Sequence, residues 1–225
     1  MDCFIKTNYT CNTELPVQHR KHAELEDVMI KDTSIPFLSN HMMLTRPWEP
    51  RSSFIPKSMK VFAAKEFPFF DSIPGGTAKQ HNVDILFFCA AGESSTYRRQ
   101  NCSVAVEIKS SVENLYCDQK IPGYFNRTDY LYLAVPDGMI ALALMKTNAW
   151  KHVGVVSIDT GLIYKPALRQ QPPFEEGKEL VERLFIEKPY VEFQVKINPK
   201  TVQLCTLPGL ERVDWRNGLP VFKCY

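Results

Sequence analysis

Three residues of this chain have the types and spacing for phosphoryl-transfer chemistry. Asp84, Glu107 and Lys109 form the pattern D-x22-E-x-K. Each acid interrupts a run that is otherwise apolar, Asp84 in V-D-I-L-F-F and Glu107 in V-A-V-E-I-K, and both runs read as strands. A carboxylate within a buried strand is costly unless a cation or hydrogen bonds compensate it. Lys109 lies two residues beyond Glu107, and the period of a strand directs both side chains to one face. If the two strands are neighbours, Asp84 and Glu107 converge with Lys109 beside them. Two carboxylates, a backbone carbonyl (that of Ile108, between acid and lysine) and waters suit Mg²⁺ or Mn²⁺. Such an ion holds a scissile phosphate and lowers the pKa of an attacking water. Lys109 would orient that water, help deprotonate it, or offset charge growing on the phosphorane. The plainer alternative stays open on sequence alone: Asp84 as an edge-strand acid facing water, and Glu107 with Lys109 as a same-face ion pair of little energetic weight.

The elements that must position these residues follow from periodicity and turn signals. Val61 to Phe70 and Val83 to Ala90 read as strands around the turn P-G-G-T at 74–77. A polar loop, Gly92 to Asn101, carries Arg98 and Arg99, either solvated or gripping phosphate. A strand over Cys102 to Lys109 then precedes a helix over Ser111 to Phe125 and a strand over Tyr130 to Val135. A compact hairpin joins Val153–Ile158 to Leu162–Tyr164 through D-T-G, and an amphipathic helix is expected over Glu175 to Glu187. Tyr190 to Ile197 alternates as a strand does, and R-N-G at 216–218 signals a last hairpin.

Before all of this, a helix is expected over about 16–30, and Pro36, Pro47, Pro50 and Pro56 beyond it predict an irregular arm. The expected fold class is therefore α/β with a mixed central sheet flanked by helices. The segments are an N-terminal helix and arm (1–57), a core (58–169), and a helix with a small β-rich C-terminal extension (170–225).

Bulk properties fit this picture. The chain has 225 residues, 44% hydrophobic and 23% charged, with a formal net charge of +2, as for an ordinary globular protein without an overall basic surplus. Its 7 cysteines include no C-x-x-C pair, and the 5 histidines, His22 among them, show neither H-x3-H nor H-E-x-x-H spacing, so neither a zinc site nor a histidine metal site is expected. No P-loop, G-x-G-x-x-G or G-x-S-x-G occurs. The opening residues lack a basic segment followed by an apolar run, and no apolar stretch nears a membrane span. An intracellular, reducing, cytoplasmic setting with no membrane contact is expected.

The triad and the residues after it resemble the PD-(D/E)XK nuclease superfamily, in particular its MmcB-like DNA-repair branch. V-E-I-K-S-S at 106–111 is followed by D-x-K-x-x-x-Y at 118–124 and by T-D-Y-L-Y-L-A-V-P at 128–136, and the hairpin at 154–162 also fits. The resemblance covers about 79–165. It implies a restriction-endonuclease-like core acting on DNA in repair or processing, with Asp84 and Glu107 as metal-binding acids and Lys109 as catalytic lysine. It makes Lys120 and Tyr124 candidates for substrate contact or structural support. Many members carry a further glutamate on the first helix, and Glu24, Glu26 and Glu66 are the candidates. A homodimer or a partner subunit is compatible with the resemblance, and so is a module that binds DNA without cutting it.

Overall fold

The computed structural model describes residues 21–45, 58–71, 79–91, 101–170, 172, 184, 189–197, 210–216 and 219–224. The expected turn at 74–77, the loop arginines Arg98 and Arg99 and nearly all of the helix expected over 175–187 lie outside them.

The order is α1 (His22–Val28), a π-helical turn (Met29–Thr33), α2 (Ser34–Thr45), β1 (Ser58–Asp71), β2 (Lys79–Ala91), β3 (Cys102–Ile108), α3 (Val112–Tyr116), β4 (Tyr130–Val135), α4 (Ile140–Thr147), β5 (Val153–Ser157), β6 (Ile163–Lys165), β7 (Tyr190–Lys196), β8 (Leu210–Arg216) and β9 (Leu219–Cys224). Seven strands form one mixed sheet in the order β6-β5-β4-β3-β2-β1-β7, and β8 pairs with β9. β1, β2 and β3 form an antiparallel meander, and β3, β4 and β5 run parallel. The apolar runs of β3 and β4 are buried along their whole length, as parallel strands covered on both faces require. The protein is thus α/β with a mixed sheet.

Two layers of side chains sandwich that sheet. Leu25, Met29, Phe37 and Leu38 from the N-terminal helices pack on Val61, Ile85, Phe87 and Val106. On the other face Leu115, Ile140 and Leu144 pack on Leu86, Ala105, Leu131 and Leu133. Each fully buried Phe or Leu stabilises the fold by roughly 1.5–3 kcal/mol. The packing therefore extends beyond 58–169, since α1 and α2 cover one face and β7 pairs with β1 along the sheet edge.

Two local expectations are corrected. The stretch around Pro36 is helical, not irregular: the chain continues to Thr45. Pro36 has no N–H to donate, and it sits in the first turn of α2, just after the π-helical turn. The helix expected over Ser111–Phe125 is broken. Ser111 Oγ caps α3 by accepting from Asn114 N at 3.2 Å, and α3 ends at Tyr116. A separate 3-10 turn spans Ile121–Tyr124, with Pro122 unable to continue an α-helical ladder. Between β4 and β5 the apolar run Met139–Met145 forms most of α4, the crossover that parallel neighbours need. Among the described residues, no helix is long and apolar enough to cross a membrane.

One close approach governs the β4–β5 seam. A Cβ on Gly154 would lie 2.3 Å from Tyr132 Cε1 and 2.7 Å from the Ala167 amide nitrogen. The Ala167 backbone cannot yield cheaply, so Gly154→Ala is expected to destabilise the protein by about 1–3 kcal/mol. A lower urea midpoint with an unchanged slope would register this.

Candidate metal centre

The β2–β3 ladder runs from Cys89↔Cys102 to Ile85↔Val106. The next residues along it are Asp84 and Glu107, and opposed residues of an antiparallel pair share a face. Both line one cleft of about 570 Å³, together with Lys109, Ile108 and Lys120. Asp84 is 6% exposed, Glu107 1% and Lys109 9%, so all three are buried polar groups at the cleft floor.

Their partners are specific. Asp84 Oδ2 accepts from Ile108 N at 2.5 Å. Lys109 N donates to Ala134 O in the β4 ladder, which leaves the peptide edge of Ile108 turned toward β2. A strand residue's N–H and C=O point to the same edge, so the Ile108 carbonyl leaves on the Asp84 side. Lys109 Nζ lies 2.7 Å from Glu107 Oε1 and 2.7 Å from Asp118 Oδ2, bridging β3 to the turn after α3. Glu107 Oε2 is buried and, among the described residues, makes no hydrogen bond of ordinary geometry, with the Tyr124 hydroxyl its near neighbour.

Charges follow from this crowding. Burial, and then the negative charge of Asp84, push Glu107 up to about 7 against the pull of Lys109. Burial alone would lower the Lys109 ammonium, but Glu107 and Asp118 more than reverse it, so the lysine stays charged. A buried carboxylate oxygen without a regular hydrogen bond, next to a second carboxylate, is an arrangement that a hard dication completes.

The candidate glutamates sort themselves. Glu24 is exposed and accepts from Lys21 N at 3.2 Å, which ties it to its own helix. Glu26 is 5% exposed and turns toward the strands. Burial raises its pKa, with the charges of Glu66 and Asp84 adding and those of His22 and Lys65 opposing. Glu66 lines the cleft from β1. Lys65 pairs with Ile85 and Phe67 with Val83, so Glu66 stands opposite Asp84 without joining the ladder. Its φ of 47 is left-handed, a conformation that costs a side-chain-bearing residue about 1–2 kcal/mol. The same irregularity shifts the strand's alternation, because Phe62 and Ala64 before it and Phe67 and Phe69 after it all face one core layer. Such local strain is characteristic of functional positions.

His22, not expected as a ligand from the sequence, also faces the acids. Its Nε2 lies 3.2 Å from Asp84 Oδ1 and 3.5 Å from Glu26 Oε1. The bond to Asp84 raises the imidazole above its usual pKa despite burial, and the charges of Asp84, Glu26 and Glu107 add to this. The one hint in the sequence is H-x-x-x-E at 22–26, which places His22 and Glu26 on one helix face.

The two motif residues beyond the triad separate. Lys120 is exposed at the cleft wall, where its backbone N donates to Asp118 Oδ1 at 2.6 Å. Tyr124 is fully buried, and its hydroxyl donates to Asn82 O at 2.6 Å, two residues before Asp84. Tyr124 braces β2 beside the site; burial raises its pKa, and its hydroxyl is close enough to Glu107, Asp84 and Asp118 for their charges to raise it further. His81 packs edge-on against the Tyr124 ring, 6.4 Å between centroids, outside the set that lines the cleft.

No protein-family model, curated protein or solved structure matches this chain.

Proposed function

We propose that the chain is a metal-dependent nuclease that hydrolyses DNA phosphodiester bonds, with a PD-(D/E)XK-like core. The observation that carries the reading is the placement of Asp84 and Glu107 as successive neighbours across β2 and β3, facing one cleft with Lys109. The order helix, three-strand meander, helix, parallel strand supports it, as does a buried glutamate, Glu26, on the first helix.

The residues present fit a divalent ion, because Glu107 Oε2 is buried beside the Asp84 carboxylate without a hydrogen bond of ordinary geometry among the described residues. Asp84, Glu107 and the Ile108 carbonyl would hold Mg²⁺ or Mn²⁺, which when bound polarises the phosphate and acidifies water. The chain supplies the rest. Ile108 N and the β3 ladder fix the rotamer of Asp84. Lys109, kept charged between Glu107 and Asp118, offsets negative charge at the cleft floor and acts electrostatically, not as a base. Lys120, exposed on the wall, is placed to meet a backbone phosphate next to the scissile one. DNA repair or processing, and a homodimer or partner subunit, belong to this same reading.

The test is cleavage of single-stranded, double-stranded and branched DNA with Mg²⁺ or Mn²⁺. Wild type is expected to cut, Lys109→Ala to be slower by about 10²–10⁴-fold, and Asp84→Ala to fall to background. Equal cutting by all three removes these residues from the mechanism. DNA binding without cutting by the wild type leaves the non-cutting DNA-binding module in its place.

A further inference from the structure

Resting on the metal-dependent reading above, we propose that His22 is a direct metal ligand, which makes the centre a mixed nitrogen–oxygen site that prefers a first-row transition dication to Mg²⁺. Ligand atoms from His22, Glu26, Glu66 and Asp84 all lie within 4.8 Å of one another. Octahedral donors at about 2.1 Å from an ion stand about 3 Å apart when adjacent and about 4.2 Å when opposed. The His22 Nε2 separations of 3.2 Å to Asp84 Oδ1 and 3.5 Å to Glu26 Oε1 match adjacent donors on one ion. Independent support comes from Glu107, which is 1% exposed, lines the same cleft and has an Oε2 with no hydrogen bond of ordinary geometry among the described residues. Glu107 stands outside the four-residue set, and a cation seated on Asp84 would bring a counter-charge into its cleft.

The elements make the set rigid on three sides. His22 and Glu26 are one turn apart on α1, Asp84 is clamped by Ile108 N, and Glu66 reaches the cleft from its left-handed position in β1. In the metal-free chain, His22 stands between Asp84 and Glu26, with its Nε2 against one oxygen of each. Lys65, 3.6 Å from Glu26 Oε2, keeps the second oxygen of Glu26 engaged, so Glu26 offers one donor atom. Mg²⁺ demands oxygen ligands and dehydrates reluctantly, whereas imidazole nitrogen suits the later dications. One neutral nitrogen among carboxylates therefore shifts preference away from Mg²⁺.

The experiment uses the full chain with Mn²⁺ and Mg²⁺ as probes, by calorimetry and by pulsed EPR of bound Mn²⁺. Wild type is expected to bind Mn²⁺ at least about tenfold more tightly than Mg²⁺, with imidazole nitrogen coupling on the bound Mn²⁺. His22→Gln keeps a polar contact to Asp84, and it should abolish the nitrogen coupling and lower Mn²⁺ affinity on the order of 10–100-fold, with a much smaller loss for Mg²⁺. Bound Mn²⁺ without nitrogen coupling in the wild type overturns the proposal, and that measurement needs no variant. Equal losses of both metals in a folded His22→Gln protein overturn it as well. A chain that shows the coupling but leaves DNA intact retains the His22 site and loses only the nuclease reading. A chain that binds neither metal loses both.

Discussion

Glu107→Gln is expected to abolish cleavage and to stabilise the metal-free protein above neutral pH. Burial and the charge of Asp84 hold Glu107 near 7 in the folded chain, against 4.5 unperturbed. Between those values the folded chain binds more protons than the unfolded one. The Glu107 contribution to stability is therefore full below about 4.5 and declines as pH rises through 7, by up to about 3 kcal/mol. The amide of glutamine removes that titration, so the variant's denaturation midpoint should fall less across this window than that of the wild type. A dication bound by Glu107 favours its ionised form. Added Mn²⁺ should consequently restore the wild type at pH about 8 by mass action and do little for Glu107→Gln. Parallel pH profiles in the two proteins, with or without metal, would remove Glu107 from the centre.

Acid is expected to destabilise the protein through a second buried group, outside the set that lines the cleft. His41 is wholly buried between α2 and the sheet, with Nδ1 2.9 Å from the Tyr132 hydroxyl and Nε2 without a partner among the described residues. Tyr132 also accepts from Ala167 N at 3.2 Å, which anchors the ring pair to the chain beyond β6. Burial without a counter-charge lowers the imidazole to about 3 from 6.5. Between those values the unfolded chain binds a proton that the folded chain refuses. Stability thus falls as pH drops below about 6.5, by about 3 kcal/mol at pH about 4. His41→Phe keeps an aromatic ring against Phe37 and Tyr130, whose centroids lie 6.2 and 4.5 Å from that of His41. This variant should flatten the acid limb whatever its stability at neutral pH. An acid limb unchanged by the substitution would assign the loss to other groups. Because the Glu107 and His41 slopes oppose each other, the metal-free wild type should be most stable in mildly acidic solution.

The strands were legible in the sequence because strand periodicity and buried apolar runs are local properties. Tyr130–Val135 was read to the residue, and β1, β2, β3, β5 and β7 were read within a few residues of their ends. The convergence of Asp84, Glu107 and Lys109 was legible for a related reason. Each acid is the lone charge in an apolar run, and an antiparallel register needs only one fixed pair, Ile85↔Val106, to bring the two side by side.

What the sequence could not decide was long-range. Choosing among Glu24, Glu26 and Glu66 needs the direction from which α1 approaches the sheet, and that depends on how Leu25, Met29 and Phe37 pack across β1 and β2. His22 was silent for the same reason, since its partner Asp84 lies 62 positions away on a different element. The helix through Pro36, the break before Pro122 and the burial of Tyr124 beside the site likewise depend on neighbours distant in the chain. Local pattern thus determined which residues form strands and which acids stand alone among apolar neighbours. Tertiary packing decided which other side chains meet those acids, because meeting depends on helix docking, and docking is set by the shape of a core assembled from the whole chain.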